Sequence, residues 1–251
     1  MPFVPPAWVP QLPFDPPDSI SITEFMLEEH NGRHPLGYSR PMFTCGLTGK
    51  EYSTLEVRER VDYLARGLAK ELGWEPNRGS EWDKVIAVFS VNTLDTLPLA
   101  WATHRLGGIQ TPANAAYSAA ELEYQLKNSG ASCLFTCLPL LATAQEAAKN
   151  CGIPDSRIYI LEVPSEFAGG QGIPSGMKTV DDLINQGAQL GRLDPLKLSP
   201  GEGAKRTAFL CYSSGTSGLP VSAAAFNRAS FADAITERGH DLASECHCQY
   251  E

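Results

Sequence analysis

The sequence predicts an α/β fold in which strands and helices alternate around a mostly parallel sheet. Short, continuously apolar runs such as 84–89 and 207–211 are typical of strands that are buried on both faces. Stretches of about 10–15 residues with helical periodicity separate these runs. Capping boxes mark where two of the helices begin, at Ser53 with Glu56 and at Ser118 with Glu121. Since helices that join consecutive strands give βαβ units, the pattern predicts parallel pairing.

Each element has its own local signal. The clearest helix follows the Ser53 cap, carries an apolar stripe and ends at Gly73. Asn92 is a candidate cap for the next helix. In chain order we predict an extended, proline-rich segment to residue 20, a helix over 23–30, a hairpin over 41–52, a helix over 54–72, a strand over 84–89, a helix from Asn92 to Leu106, a strand over 109–112, a helix from the Ser118 cap to Gly130, a strand over 132–137, a helix over 140–150, a strand over 157–161, a loop over 162–177, a helix over 179–190 and a strand over 207–211.

The composition is that of a globular protein and excludes several classes of partner. The chain has 251 residues, of which 43% are hydrophobic and 20% are charged. Its formal charge of −9 argues against nucleic acid and against an anionic membrane surface. No apolar run approaches the roughly 18 residues of a membrane span. The N-terminus lacks the features of a secretory signal, and the last residues are no peroxisomal tripeptide, so an intracellular protein is expected.

The cysteines and histidines point to packing more than to chemistry. The seven cysteines are an odd number at irregular spacing, and most lie in apolar runs, where a reduced cysteine acts as a small hydrophobe. Cys246, His247 and Cys248, with His240 nearby, could bind a metal but match no standard zinc spacing, so no metal site is predicted. The other three histidines are expected at the surface or as hydrogen-bonded core residues: His30, His34 and His104.

One loop carries the candidate chemistry. It runs from Tyr212 to Pro220 directly after a strand-like run, and it concentrates glycines and hydroxyl groups in one turn. Glycines allow the backbone to turn several N–H groups towards one anion, and the hydroxyls add donors. The pattern therefore predicts a phosphate-binding loop, and a polar turn between two strands is the alternative. The candidate phosphate-binding residues are Ser213, Ser214, Gly215, Thr216, Ser217 and Gly218.

The order Ser-Ser-Gly-Thr-Ser-Gly-Leu-Pro in this loop resembles the phosphate-binding signature of the adenylate-forming, AMP-dependent synthetases and ligases. A second run, Leu106–Ala131, is similar to the Gly-Gly…Pro-x-Asn…Tyr…Glu-Leu…Gln-Leu…Ser-Gly-Ala segment of 4-coumarate–CoA ligases and luciferases. The resemblance spans roughly residues 39–220. Asn114, Tyr117 and Glu121 match the second run, but a turn, a packed ring and a helix cap explain them locally, and these structural roles are favoured.

The resemblance implies the N-terminal part of an adenylate-forming large domain. Such enzymes combine ATP, with Mg²⁺, and a carboxylate into an acyl-adenylate, and coenzyme A then takes the acyl group. Relatives are cytoplasmic or peroxisomal. We predict a truncated AMP-binding domain over residues 1–220 and a divergent tail over 221–251.

The chain departs from the family pattern after Pro220. Val221 stands where the family has lysine, and the alanine-rich residues that follow are not expected to return as the second strand of a hairpin. No catalytic residue of the family has a counterpart here, so the chain is predicted to be inactive alone, with open sheet edges and possible chaperone association. A non-catalytic nucleotide-binding or interaction module is the alternative, and a metal-binding tail is a third reading.

Overall fold

The structure is a computed structural model that describes residues 17–29, 35–170 and 172–213, and the backbone of 221–226. Within these residues it contains six α-helices and nine strands. The helices are α1 Ile22–Leu27, α2 Thr54–Leu72, α3 Thr96–Arg105, α4 Ala119–Ser129, α5 Leu141–Asn150 and α6 Val180–Ala188. The strands are β1 Phe43–Thr44, β2 Glu51–Tyr52, β3 Val85–Phe89, β4 Ile109–Ala113, β5 Cys133–Thr136, β6 Ile158–Ile160, β7 Lys178–Thr179, β8 Thr207–Ser213 and β9 Val221–Phe226.

Seven strands form one sheet in the order β7-β6-β5-β3-β4-β8-β9, and β1 and β2 form a separate antiparallel hairpin. All neighbours in the sheet are parallel except β8 and β9. The central strand β3 pairs with β4 on one side and with β5 on the other. The predicted α/β fold with a mostly parallel sheet is therefore confirmed.

Helices cover both faces of the sheet, which is why β3 is apolar throughout. Ile86 and Val88 point into a cluster built with α1, α2, α3 and α6. Val85, Ala87 and Phe89 point to the opposite side, where α4 and α5 cover them. Every residue of β3 is buried as a result. No helix of the described residues is long and apolar enough to cross a bilayer.

On the first face of the sheet, α2 and α6 pack directly against each other. The predicted capping box opens α2: the Ser53 amide donates to Glu56 Oε2 at 2.8 Å, and the Glu56 amide donates to Ser53 Oγ at 3.2 Å. Glycines let the two helices touch. A Cβ at Gly67 would lie 2.2 Å from the Leu183 carbonyl oxygen, and one at Gly187 would lie 1.8 Å from the carbonyl oxygen of Tyr63.

Helix α3 begins later than predicted. Asn92 does not cap it; the residue at the cap position is Asp95, whose side chain makes no capping hydrogen bond. The Asp95 carboxylate instead accepts two hydrogen bonds from Arg60, each at 2.9 Å. The Thr93 amide donates to Thr96 Oγ1 at 2.8 Å, which closes a turn before the helix. The Asp95 carboxylate is therefore bound to Arg60, 35 positions away, and does not cap the amides at the start of α3.

The expectation that residues after Pro220 do not return as a strand is wrong. The backbone of β9 runs antiparallel to β8, with Ser213 opposite Val221 and Thr207 opposite Phe226. Strand pairing uses backbone N–H and C=O groups, so residues with low strand propensity can still complete a hairpin against an open edge. The proposed domain boundary between residues 220 and 221 stays a prediction.

Candidate phosphate-binding site

The strands β8 and β9 hold the two ends of the candidate loop. Ser213 is the last residue of β8, is exposed and pairs with Val221, the first residue of β9. The loop therefore links two hydrogen-bonded strands of a hairpin, and its seven residues, 214–220, lie outside the described part of the chain. Of the predicted phosphate-binding residues only Ser213 is placed; the positions of Ser214, Gly215, Thr216, Ser217 and Gly218 stay predictions.

Buried polar contacts fix β8 to the strand beside it. Thr111 of β4 donates from its hydroxyl to the Leu210 carbonyl at 2.8 Å. Gln125 of α4 donates to Thr111 Oγ1 at 2.7 Å and to the Pro112 carbonyl at 3.1 Å. Thr111 and Gln125 are fully buried, so water does not compete for these bonds. The strand that leads into the loop is thus tied directly to β4 and, through Thr111, to α4.

The turn after β4, which is part of the second run that resembles the family, lies at the same edge of the sheet. Because β4 and β8 are parallel, Asn114, which follows β4, and Ser213 lie at the same carboxyl-terminal edge. Ligands of open α/β sheets bind at this edge. The Asn114 side chain accepts a hydrogen bond from the Ala116 amide at 3.0 Å and so closes a turn, as predicted. Tyr117 is half-buried against the α4 and α5 face of the sheet.

Glu121 has the structural role that was predicted for it. Its carboxylate accepts hydrogen bonds from the hydroxyl and the amide of Ser118, at 2.7 and 2.8 Å. The hydroxyl contact, followed by the amide contact, lowers the pKa of Glu121 because both stabilise the charged form. Glu121 thus completes the capping box that Ser118 opens at the start of α4.

His104 is a core residue. Its Nε2 lies 3.0 Å from the Ala208 carbonyl of β8, and its ring meets Phe209 edge-on at 4.7 Å between centroids. Complete burial lowers the pKa of His104 to about 4, so the neutral ring donates from Nε2. The prediction of a hydrogen-bonded core role is confirmed for this residue. His30 and His34 lie outside the described residues.

Two predictions concern the cysteines, one about their packing and one about metal binding. Cys133 and Cys137 are buried in the way predicted for small hydrophobes, and burial raises the pKa of the Cys133 thiol to about 12. Within the residues that the structure places, no cluster of three or more His, Cys, Asp or Glu could hold a metal ion. Residues 240–248, with the Cys/His group of the tail, lie outside that part of the chain.

A second polar site went unpredicted. Arg60 of α2 donates to Asp95 before α3 and, at 2.6 Å, to Asp181 of α6. The guanidinium carbon also lies 4.7 Å from the centre of the Tyr52 ring. Tyr52, Asp95 and Asp181 border a cavity of about 200 Å³ that is also lined by the hairpin β1–β2, residues 92–94 and residues 162–164. Arg60 and Asp181 are 121 positions apart, so no local pattern could have paired them.

Comparison with known proteins identifies the family. The model of one family, described as AMP-binding enzyme, matches residues 27–232. Among curated proteins, the acyl-CoA ligase easD of Emericella nidulans is 41% identical over 218 residues, covering 87% of this chain and 39% of its own length. The acyl-CoA ligase cm3C of Cordyceps militaris is 37% identical over 231 residues, covering 86% of this chain and 36% of its own length. The chain thus spans well under half of the curated relatives it matches.

Solved structures of low identity share the fold. A red-emitting luciferase of Phrixothrix hirtus superposes with a TM-score of 0.69 at 17% identity, over 89% of this chain and 49% of the luciferase. The anthranilate CoA ligase AuaEII, solved in complex with anthranoyl-AMP, gives a TM-score of 0.64 at 17% identity, over 84% of this chain and 36% of the ligase. The family match covers most of the chain and includes both strands that hold the candidate loop. This chain belongs to the AMP-binding enzyme family.

Proposed function

We propose that this chain is the N-terminal part of an AMP-dependent acyl-CoA ligase and that residues 213–218 bind the β and γ phosphates of ATP. The hairpin of β8 and β9 is the observation that supports this assignment most directly. It holds a glycine- and hydroxyl-rich loop at the carboxyl-terminal edge of a parallel sheet. The acyl-CoA ligases among the curated relatives give the reaction class.

The proposed reaction has two steps. A substrate carboxylate attacks the α phosphate of ATP to give an acyl-adenylate and pyrophosphate, and the thiol of coenzyme A then displaces AMP. The loop's backbone N–H groups and hydroxyls would hold the departing pyrophosphate and stabilise its charge. Mg²⁺ would supply further charge neutralisation.

Val221 weakens the proposed site. The family pattern has lysine at this position, and a charge-assisted contact to phosphate is worth about 1.5–3 kcal/mol. ATP should therefore bind roughly 10- to 150-fold more weakly than it would with a lysine there. These residues span 39% and 36% of the length of two curated acyl-CoA ligases, so we expect them by themselves to form no acyl-CoA.

A nucleotide titration tests the loop. Equilibrium dialysis of the whole chain with MgATP should show weak binding that inorganic tripolyphosphate displaces. Thr216→Ala should weaken this binding by roughly 10-fold or more if its hydroxyl contacts a charged phosphate. Ser165→Ala is the matched control, because Ser165 is an exposed hydroxyl in the turn that follows β6. Equal affinities in Thr216→Ala and in the wild type would remove the loop as the phosphate site.

A product assay tests the activity. With ATP, coenzyme A and a mixture of carboxylates, the purified chain should release neither pyrophosphate nor thioester. Turnover would refute the proposal that the chain is inactive alone. Nucleotide binding without turnover is also what a non-catalytic binding module would show, and Val221 at the lysine position is the observation that keeps this second candidate open. Val221→Lys should improve nucleotide binding under either candidate.

A further inference from the structure

Two hydrogen-bonded links join α4 to β8, the strand that leads into the candidate phosphate-binding loop. In the first link, Gln125 of α4 donates to the Thr111 hydroxyl of β4, which in turn donates to the Leu210 carbonyl of β8. In the second link, the Tyr212 hydroxyl of β8 donates to the Asn128 side-chain oxygen of α4 at 2.6 Å. Positions 125 and 128 are three apart and therefore lie on one face of α4. The helix thus holds β8 at two successive points, and the second is the nearer to the loop.

The last part of β8 depends on the second link. The first link is fully buried but reaches only Leu210, three residues before the strand ends at Ser213. Of the residues that follow Leu210 in the strand, Tyr212 is half-buried, whereas Cys211 and Ser213 are exposed. Tyr212 therefore anchors the end of β8 more firmly than its two neighbours do.

Tyr212 combines packing with a directed hydrogen bond. Its ring lies against the cluster of apolar residues under α4 and α5. Burial, followed by the nearby Tyr124, raises the pKa of Tyr212, so its hydroxyl is protonated and donates. Removing only the hydroxyl would leave the ring contacts in place and would abolish the bond that orients the side chain. The substitution Tyr212→Phe can therefore separate orientation from packing.

The position in which β8 ends matters for binding an anion. Backbone N–H groups and hydroxyls bind a phosphate strongly only when several of them point at the same oxygen atoms, so they need a fixed support. The loop leaves β8 at Ser213 and returns at Val221, which pairs with Ser213. The end of β8 therefore sets both ends of the loop, because paired strands move together.

We propose that Tyr212 and Asn128 are positioning residues that orient the phosphate-binding loop through their hydrogen bond between β8 and α4. This role rests on the proposed function, in which residues 213–218 bind the phosphates of ATP. The pair joins the two stretches that resemble the family, since Tyr212 belongs to one and Asn128 to the other. Because affinity cannot fall by more than the bond contributes, we expect roughly 2- to 10-fold weaker phosphate binding without it.

Equilibrium dialysis of the whole chain with inorganic tripolyphosphate tests the pair, because this probe carries the phosphates without a nucleoside. Tyr212→Phe and Asn128→Ala should each weaken binding by roughly 2- to 10-fold, and the double variant should lose no more than either single variant. Asn128→Asp keeps an oxygen that accepts the Tyr212 hydroxyl and should restore most of the affinity. Tyr63→Phe is the matched control and should bind like the wild type, because the Tyr63 hydroxyl donates to Glu59 at 2.8 Å on α2, which covers the opposite face of the sheet.

The outcomes separate the role of the pair from the proposed function and from general stability. If the wild type binds tripolyphosphate and Tyr212→Phe binds it equally well, the positioning role is overturned and the phosphate site stands. If the wild type does not bind it, both are overturned. Urea unfolding of the same variants measures their stability, and a lower stability with unchanged affinity would show that the bond is structural and would refute its role in the loop. Losses that multiply in the double variant would also contradict the pair, because the two side chains would then act independently.

Discussion

Acid should destabilise this domain through one buried histidine, His104. The residue is 2% exposed, and its hydrogen bond to the Ala208 carbonyl joins α3 to β8. Burial lowers its pKa to about 4, whereas an unfolded histidine titrates near 6.5. The unfolded chain therefore takes up the proton first, and stability that is present at pH 7 is lost as pH falls towards 4.

The magnitude follows from the two pKa values. The full difference of about 2.5 pKa units corresponds to roughly 3 kcal/mol, and about 2 kcal/mol of that is already lost at pH 5. His104→Gln keeps an amide donor for the Ala208 carbonyl but removes the titration. The variant starts from a lower stability at pH 7.5 because it loses the ring contact with Phe209, at 4.7 Å between centroids.

Urea-dependent pulse proteolysis at submicromolar protein concentration measures the unfolding free energy without requiring high solubility. Between pH 7.5 and pH 5 the wild type should lose about 2 kcal/mol more than His104→Gln does. His30→Gln, which removes a histidine predicted to lie at the surface or in a hydrogen-bonded core site, controls for the loss of an imidazole elsewhere in the chain. Equal acid losses in His104→Gln and the wild type would refute the assignment of a neutral, buried imidazole.

Three further predictions concern packing, nucleotide binding and the ion pair at Arg60. Gly187→Ala should lower the unfolding free energy in urea by about 1–3 kcal/mol, because the new Cβ would lie 1.8 Å from a carbonyl oxygen of α2. The control Gly191→Ala, with open space at its Cβ, should change it by less than about 0.5 kcal/mol, and equal effects of the two substitutions would contradict the close contact of α2 and α6. Val221→Lys should tighten MgATP binding by roughly 10- to 150-fold in equilibrium dialysis, and an unchanged affinity would argue against a phosphate site beside this position. Asp95→Asn should lower the unfolding free energy by about 1–3 kcal/mol, since it weakens the two hydrogen bonds from the largely buried Arg60 guanidinium. A loss of only about 0–1 kcal/mol, as for an exposed surface ion pair, would show that the pair contributes little.

The sequence by itself determined the class of fold and most of its elements. Continuous apolar strands require covered faces, and the covered β3 confirms that reading. The capping boxes at Ser53 and Ser118 act between residues three positions apart, so their hydrogen bonds could be predicted from spacing alone. The loop after β8 and the run from Leu106 to Ala131 carried the resemblance, and the family match confirmed it. These signals depend on residues a few positions apart or on a repeating pattern, so they can be recognised in a single sequence without the folded structure.

Only the tertiary structure decided which distant groups meet. Arg60 draws Asp95 away from capping α3 and binds Asp181 across 121 positions. The exposed edge of β8 recruits β9 from residues whose composition favours no strand, because pairing depends on backbone groups that every sequence provides. His104 has an ordinary sequence context and becomes a neutral core group only once α3 lies against β8. Local hydrogen bonding is encoded in spacing, whereas ion pairing, burial and edge pairing depend on the whole chain being folded.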